Sequence, residues 1–322
     1  MKNLIKFIKV AIFVLALLLI GNILKNDFNS DDFKKLILKA DYLYLINTIV
    51  IVFISIILKG HRLQIISKQF EIFPSFFEAV KIQIISITFA MITPGRAGEF
   101  TKIFLLAKED KKKLPLTTVI CVFERLIDVI ILSLAGTILC MFTLNDIKIL
   151  SLLLLLAICI IMSLFLLFNL GFFMKKFEKY IPNKIKTYVD EFEIHKSKIY
   201  SKTPLIVLYS TFIWVIDAFF QWSILKSVGS SNSIWPIFGI NGITAIMGIL
   251  TILPMGLGTV DISALYLYDK ILNVPHEKIV FLLASYRFFG IGTLILMLLP
   301  IMVLQKGFVE SIYNKTIKKN IK

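Results

Sequence analysis

The sequence predicts an all-α fold, a polytopic helical membrane protein of about six full spans with two re-entrant helical hairpins. Three observations predict it. Hydrophobic residues make up 57% of the 322 residues, and the mean hydropathy is +0.85. Several apolar runs reach the length of about 20 residues that crosses a bilayer. Two breaks that contain proline and glycine, at 94–98 and 254–258, interrupt apolar stretches.

The apolar runs and the polar segments between them predict the order of the chain in the membrane. The predicted spans are 10–24, 42–58, 116–142, 149–170, 204–226 and 279–304. Residues 27–41 are predicted to hold a surface helix that begins at Ser30. The lysine-rich segment 171–203 is predicted to be an amphipathic segment on the cytoplasmic surface.

Basic residues concentrate on one side of these predicted spans. We place both termini in the cytoplasm and count Lys59 and Arg62 with the cytoplasmic segments. These segments then hold 25 of the 36 lysines and arginines. This positive-inside pattern predicts a cytoplasmic (inner) membrane location and explains the net charge of +15 without nucleic acid as a partner. The low share of arginine and the high share of lysine and isoleucine suggest a bacterial source.

The first break lies in ITPGRAGEFTK, residues 92–102. Its two apolar arms, 82–93 and 100–107, are 12 and eight residues long. At 1.5 Å per residue, neither arm crosses roughly 30 Å of hydrocarbon. Lysines flank both arms, so the segment is predicted to enter from the cytoplasm and to return there.

The second break repeats the spacing of the first. Pro94 and Gly98 are four residues apart, as are Pro254 and Gly258. We therefore predict one domain, 1–322, made of two halves of opposite orientation, at approximately 1–145 and 146–322. Inverted repeats with broken helices are typical of secondary transporters, whose site lies where the breaks meet. The sequence leaves open whether 234–253 spans the membrane or forms half of a second hairpin.

Arginine is rare in this chain, since only four of the 36 basic residues are arginine. Three of them, Arg96, Arg125 and Arg287, are predicted at membrane depth, where a charge costs roughly 2.5–3.5 kcal/mol. A planar guanidinium binds phosphate or carboxylate through two hydrogen bonds. We therefore predict a polar cavity for an anionic headgroup, helped by backbone N–H groups at the breaks. The alternative, that these charges only pair with one another, stays open.

The candidate substrate-binding residues lie at the two breaks and on the spans that follow them. They are Thr93, Pro94, Gly95, Arg96, Gly98, Glu99, Lys102, Glu124, Arg125, Asp128, Pro254, Gly256, Gly258, Asp261 and Arg287. Asp217, alone in the middle of its span, is interpreted as an interior group rather than a ligand.

Three ordered motifs, TPGRAGEFTK, ERLID and LPMGLGTVD, resemble the lysylphosphatidylglycerol synthase transmembrane-region family of flippase-like integral membrane proteins. The resemblance implies a membrane-embedded lipid translocation domain. It departs from the family pattern at Met255, where glycine is usual, and at Asp261, where glutamate is frequent. The aminoacyl-transferase domain of two-part members has no counterpart, so lysyl-lipid synthesis is not expected. Members associated with hopanoids or polyisoprenyl-linked sugars leave the lipid open.

The function predicted from these observations is a lipid flippase or transporter. No phosphate-binding loop occurs, so we do not expect ATP to drive transport directly. No intramembrane histidine is predicted either, so we expect no enzyme activity, metal or cofactor. The expected partners are an anionic membrane lipid and the bilayer, while a homo-oligomer and a lipid-biosynthetic enzyme are left open. Two alternatives remain, an accessory lipid-binding protein of a glycolipid or envelope pathway and an intramembrane lipid-phosphate transferase.

Overall fold

The computed structural model describes residues 30–304 apart from 94, 109, 143–150, 152–153, 164, 166–182 and 252–255. Over these residues every regular element is a helix. The α-helices are α1 (Ser30–Lys39), α2 (Tyr42–Gln69), α3 (Phe76–Ile92), α4 (Thr101–Ala107), α5 (Leu114–Phe142), α6 (Leu154–Ser163), α7 (Asn183–Ser227), α8 (Ile234–Leu250), α9 (Thr259–Leu272) and α10 (His276–Leu304). Two 3₁₀ turns, Ala97–Phe100 and Lys111–Lys113, precede α4 and α5.

Within the described ranges, four helical stretches are long and apolar enough to cross a membrane. They are Tyr42–Gln69, Leu114–Phe142, Ser201–Ser227 and His276–Ile301, in agreement with four of the predicted spans. The predicted span 10–24 lies outside the described residues, and of 149–170 the structure describes mainly α6, ten residues long. The chain is therefore a multi-pass helical membrane protein, while the total number of spans and the inverted repeat stay predictions.

Helix α2 is longer than the sequence predicts. It ends at Gln69 instead of near residue 58, so Lys59 and Arg62 extend its helical face rather than leave the bundle. Arg62 is 1% exposed, which corrects its assignment to a cytoplasmic segment. The physical reason is that carboxylates of other helices neutralise these cations inside the protein.

A second correction concerns the lysine-rich segment 171–203. Its first part lies outside the described residues, but from Asn183 the chain forms one helix that continues to Ser227. Pro204, which we took as the boundary between surface segment and span, lies inside this helix. In membrane helices proline is tolerated because neighbouring groups satisfy the backbone carbonyl that it leaves without a donor.

Hairpin 1 comprises α3, the first 3₁₀ turn and α4. Helix α3 begins with a reciprocal capping box, in which Ser75 and Glu78 each accept from the other's backbone N–H. It ends at Thr93, whose extended backbone stops the helix and whose hydroxyl donates to the Phe89 carbonyl, 2.9 Å away. Gly98 packs so closely on α3 that a Cβ there would lie 2.2 Å from the Phe89 carbonyl.

Hairpin 2 comprises α8 and α9. Helix α8 ends in the same way as α3, because Thr251 has extended backbone and its hydroxyl donates to the Met247 carbonyl. The Thr251 hydroxyl also lies 2.8 Å from that of Thr259, the first residue of α9. Helix α8 is 17 residues long, roughly 25 Å at 1.5 Å per residue. This length is at the lower limit of the helices that cross a bilayer, and the re-entrant hairpin stays a prediction.

Helix α5 packs against both hairpins and so connects them. Its contact with α8 depends on glycine, because a Cβ at Gly242 would lie 2.4 Å from the Leu132 carbonyl oxygen. A Cβ at Gly239 would lie 2.5 Å from the Leu139 Cβ. Small residues allow membrane helices to approach at backbone distance. Helix α5 thereby contacts one arm of each hairpin.

Candidate functional site

A buried ion network lies between hairpin 1, α2 and α5. It has seven ionised side chains, which are Arg62, Arg96, Glu99, Lys102, Glu124, Arg125 and Asp128. Six of them are sequence candidates, and the structure brings these six together. Arg62 is the member that the sequence did not predict.

Arg62 and Lys102 neutralise the carboxylates of α5 from two directions. The Arg62 guanidinium donates to Glu124 at 2.7 Å and to Asp128 at 2.5 Å. The Lys102 ammonium, which comes from hairpin 1, donates to the other Glu124 oxygen at 2.6 Å. All four side chains are 0–1% exposed. Buried charges of this kind are tolerated only when they are paired, so the pairs fix α2 and α4 to α5.

Arg125 joins Glu99, the third carboxylate of the network, to Asp128. It lies 2.5 Å from Glu99 in hairpin 1 and 2.7 Å from Asp128, one turn further along α5. Asp128 also accepts a hydrogen bond from the indole N–H of Trp214 in α7, at 2.8 Å. Hairpin 1, α5 and α7 are therefore connected through one continuous set of charge-assisted contacts.

Arg96 differs from the other cations of the network. The described network has four cations and three carboxylates, so one positive charge is in excess. Arg96 pairs with Glu99 at 2.8 Å, but Arg125 already neutralises Glu99. The Arg96 side chain is 38% exposed, and its backbone has φ 56°, a left-handed conformation that is uncommon outside glycine. Strained backbone of this kind is frequent at functional sites.

A central cavity of about 220 Å³ lies among α2, α3, α7, α8, α9 and α10. Arg96 lines it from hairpin 1, and Gly256 and Asp261 line it from hairpin 2. Its charged lining residues are Lys59, Arg96, Asp217, Asp261 and Arg287. Residues from both breaks thus line the cavity.

Two ion pairs face the cavity besides Arg96. Lys59 donates to Asp217 at 2.6 Å, and the Ser55 hydroxyl also donates to Asp217. A guanidinium nitrogen of Arg287 lies 2.6 and 2.7 Å from the two oxygens of Asp261. These four side chains keep 14–23% of their surface exposed. They differ in this from Arg62, Lys102, Glu124 and Asp128 of the ion network, which are 0–1% exposed.

Lys59 and Asp217, which line the cavity, lie well inside α2 and α7 rather than at their ends. The backbone N–H of Asp41 donates to the Ser227 carbonyl, so α2 and α7 have one end in common. Asp217 comes ten residues before Ser227. This distance is roughly 15 Å along the helix, half of the hydrocarbon thickness of about 30 Å.

The tips of the two hairpins meet beside the cavity. A Cβ on Gly95, whose φ is 57°, would lie 3.5 Å from the Thr251 carbonyl oxygen and 3.9 Å from that of Ile249. Two of the backbone donors at the breaks have side-chain partners within the protein. The Gly98 N–H donates to the Thr93 hydroxyl at 2.6 Å, and the Gly258 N–H donates to Asp261 at 2.9 Å. Side chains, and not these two amides, therefore provide the charge that faces the cavity.

The structure divides the sequence candidates into three groups. The cavity is lined by Arg96, Gly256, Asp261 and Arg287. The ion network contains Glu99, Lys102, Glu124, Arg125 and Asp128. The breaks are shaped by Thr93, Gly95, Gly98 and Gly258. Pro94 and Pro254 lie outside the described residues. Asp217, which we interpreted as an interior group, lines the cavity together with Lys59.

The family model described as "Lysylphosphatidylglycerol synthase TM region" matches residues 6–299. The chain belongs to this family. The resemblance of the three motifs is thereby confirmed. The lysylphosphatidylglycerol synthase TM-region family is a membrane-protein family linked to lysylphosphatidylglycerol synthesis or flippase-like function. No curated protein matches the chain. In this lysylphosphatidylglycerol synthase TM-region protein, the matched range includes both hairpins and every charged residue that lines the cavity.

Proposed function

We propose that the protein is a lipid flippase or transporter and not an enzyme. It moves a lipid with an anionic or glycosylated headgroup, such as a phospholipid or a polyisoprenyl-linked lipid, between the leaflets of the cytoplasmic membrane. The observation that carries this proposal is the cavity, where both broken hairpins meet and where Arg96 is a cation in excess of the carboxylates around it.

Arg96 is the residue to which an anionic headgroup binds first. Glu99 pairs with both Arg96 and Arg125. When Arg96 leaves Glu99 for a headgroup, Arg125 therefore still neutralises this buried carboxylate. Arg287 approaches the same cavity from the opposite hairpin and has guanidinium nitrogens besides the one on Asp261. Two guanidinium groups from opposite sides suit the several oxygens of a phosphate.

Movement of hairpin 2 against hairpin 1 exposes the headgroup to the two sides in turn. Hairpin 1 is fixed, because Lys102 and Glu99 join it to the ion network of α5. In the described part of the chain, the ion pair that joins hairpin 2 to the rest of the cavity wall is Asp261 with Arg287, and Asn241 and Tyr268 add neutral hydrogen bonds with Gln221 of α7. Rocking of one repeat against the other around a site at mid-depth is the usual mechanism of transporters with broken helices.

The proposal is tested with purified protein in liposomes that contain a fluorescent anionic phospholipid. Translocation is followed by adding a quencher that does not cross the membrane. We expect Arg96→Gln to lower the rate by about tenfold or more, because a hydrogen bond to a charged group contributes roughly 1.5–3 kcal/mol. The matched control is Lys108→Gln, since Lys108 is a cation of the same hairpin that is 67% exposed and lies outside the cavity lining.

A wild-type rate for Arg96→Gln, with protein that is folded and inserted, contradicts the proposed role of Arg96. Absence of translocation by the wild-type protein, with the lipid nevertheless bound, favours the accessory lipid-binding alternative. Chemical conversion of the lipid by the purified protein alone contradicts the proposal that it is not an enzyme.

A further inference from the structure

Tyr286 lies beside Arg287 on the face of α10 that lines the cavity. Leu283, Tyr286, Arg287 and Gly290 recur at intervals of three and four residues, and all four are lining residues. This spacing is that of one helical face. Tyr286 is 39% exposed, so its side chain is accessible. It is not among the candidates that the sequence predicts.

The phenol hydroxyl of Tyr286 lies among the charged groups of the cavity. It interacts electrostatically with Asp217 of α7, with Arg96 of hairpin 1 and with Arg287 of its own helix. All three of these residues also line the cavity. The hydroxyl is therefore close to both arginines to which we assign the headgroup.

No acceptor in the described part of the chain takes the proton of this hydroxyl, since Tyr286 makes no hydrogen bond there. The two arginines carry N–H donors only, so they cannot accept the proton. Asp217 already accepts from the Ser55 hydroxyl with one oxygen and from the Lys59 ammonium with the other. A tyrosine hydroxyl inside a protein usually has a hydrogen-bond partner. The O–H of Tyr286 is thus available to an acceptor that binds in the cavity.

Phe220 of α7 holds the ring of Tyr286 in place. The two ring centroids are 4.9 Å apart, and the ring planes are tilted by 31°. Phe220 is itself buried, at 6% exposure, so packing fixes its position. A tyrosine side chain has only two χ angles, and this contact restricts both. Binding through the hydroxyl therefore costs little conformational entropy.

We infer that the Tyr286 hydroxyl donates a hydrogen bond to a phosphate oxygen of the bound headgroup, together with the guanidinium groups of Arg96 and Arg287. The inference rests on the proposed function, in which these two arginines hold the phosphate. An anionic oxygen is the acceptor that the arginines attract to this place. Tyr286 adds a donor without adding a charge, so the described lining keeps three cations against two carboxylates.

The test removes one oxygen atom from the cavity. Tyr286→Phe keeps the ring that contacts Phe220 and loses only the hydroxyl. The matched control is Tyr209→Phe, which also loses one tyrosine hydroxyl. That hydroxyl lies 2.9 Å from Nδ1 of His61, and Tyr209 does not line the cavity.

Three probes separate the possible acceptors and sources of the phosphate. Dioctanoyl phosphatidylethanol and dioctanoyl phosphatidylglycerol carry the same phosphodiester charge, but only the second has hydroxyl groups in its headgroup. Glycerol 3-phosphate is a soluble phosphate ester without acyl chains. Binding to purified protein in detergent is measured by titration calorimetry, and the unfolding temperature of each variant is measured beside it.

We expect Tyr286→Phe to weaken the binding of both phospholipids by about tenfold or more, because the lost hydrogen bond is made to a charged group. Tyr209→Phe stays within about twofold of wild type, since substitutions away from a site have small effects. Tyr286→Phe unfolds close to the wild-type temperature, because its hydroxyl has no hydrogen bond to lose in the described structure. The wild type binds both lipids more tightly than glycerol 3-phosphate.

Three outcomes overturn the inference. Unchanged binding of both lipids by Tyr286→Phe shows that the hydroxyl does not contact the headgroup. A loss confined to phosphatidylglycerol shows that the hydroxyl binds a headgroup hydroxyl and not the phosphate. A loss of binding that comes with an equal fall in the unfolding temperatures of Tyr286→Phe and of Arg62→Gln shows that Tyr286 is structural.

Failure of the proposed function gives different results. If Tyr286→Phe weakens lipid binding but the wild type translocates no lipid in liposomes, the inference stands and transport is contradicted. If glycerol 3-phosphate binds as tightly as the lipids and Tyr286→Phe weakens it as well, the phosphate contact stands, but its ligand is a soluble phosphate ester. If the wild type binds none of the three probes, both the proposed function and the inference are wrong.

Discussion

Arg62 and Arg96 belong to one ion network, yet their surroundings give them different roles. Arg62 is 1% exposed and donates to Glu124, Asp128 and the Ser210 hydroxyl. Arg96 has one ion pair, on a carboxylate that a second arginine also neutralises, and 38% of its side chain is exposed. Removal of Arg62 takes away the cation that bridges the buried carboxylates Glu124 and Asp128, beside which only Lys102 and Arg125 remain. Removal of Arg96 leaves the network neutral.

Arg62→Gln is therefore expected to destabilise the protein by about 3–5 kcal/mol, because it breaks buried ion pairs from one side. The measurement is the reaction of a thiol-specific dye with Cys121 and Cys140 during heating in detergent. Both cysteines are buried and in no disulfide bond, so they react when the bundle opens. Arg96→Gln is the matched control and should unfold close to the wild-type temperature.

Equal unfolding temperatures for the two variants would show that the described network does not stabilise the fold. A large loss of stability in Arg96→Gln would show that this residue is structural, and the proposed role in anion binding would then lose its basis.

The position of Arg62 shows what sequence reasoning missed at the residue level. Because Lys59, His61 and Arg62 follow an apolar run, we ended the predicted span at residue 58. A signal for the longer helix was nevertheless present, since Ser55, Lys59 and Arg62 are spaced as one helical face. The partners of that face, Asp217, Glu124 and Asp128, are far away in sequence. No single-sequence pattern identifies them.

At the level of elements, the contact of α5 with α8 depends on glycines. Gly242→Val is expected to cost about 1–3 kcal/mol of stability, because its side chain overlaps the Leu132 carbonyl and the helices have to separate. The same dye assay measures the fall in unfolding temperature. Gly292→Val is the control, since it adds the same atoms to a helix in open space.

If Gly242→Val unfolds at the same temperature as Gly292→Val, the close approach of α5 and α8 is not needed for stability. A fall of lipid translocation without a fall of unfolding temperature would instead indicate that α8 moves during transport.

The helices were largely predictable, and their ends were less so. Apolar runs of sufficient length predicted four described spans. The two short apolar arms on either side of residues 94–98 predicted a broken hairpin. The predicted start of α7 was wrong, because we took Pro204 and the lysines before it as a boundary. Proline and charge indicate where a helix is able to end, whereas the contacts of the folded bundle decide whether it does.

At the level of the whole molecule, the predicted orientation places the loop after α7 outside and the loop after α4 in the cytoplasm. Ser231→Cys should therefore react with a maleimide that does not cross membranes when it is added to intact cells. Lys112→Cys should react only after the cells are permeabilised. Both positions are exposed in the structure, and Cys159, which is partly buried, is first replaced by alanine.

Reaction of both cysteines from the same side would contradict the predicted topology and, with it, the opposite orientation of the two halves. The reverse pattern would keep the inverted repeat and place both termini outside the cell.

Trp214 connects the two charged regions and gives the protein an optical reporter. Its indole N–H donates to Asp128 in the network, and its ring lies 5.2 Å from the Lys59 ammonium in the cavity. Indole fluorescence depends on the charges close to the ring, and the chain has only three tryptophans. A headgroup that draws Lys59 away from Asp217 therefore changes the emission of Trp214. Ligand binding in the cavity can therefore be followed by tryptophan fluorescence in unlabelled protein. The Trp214→Phe variant, which lacks this emission, is the control.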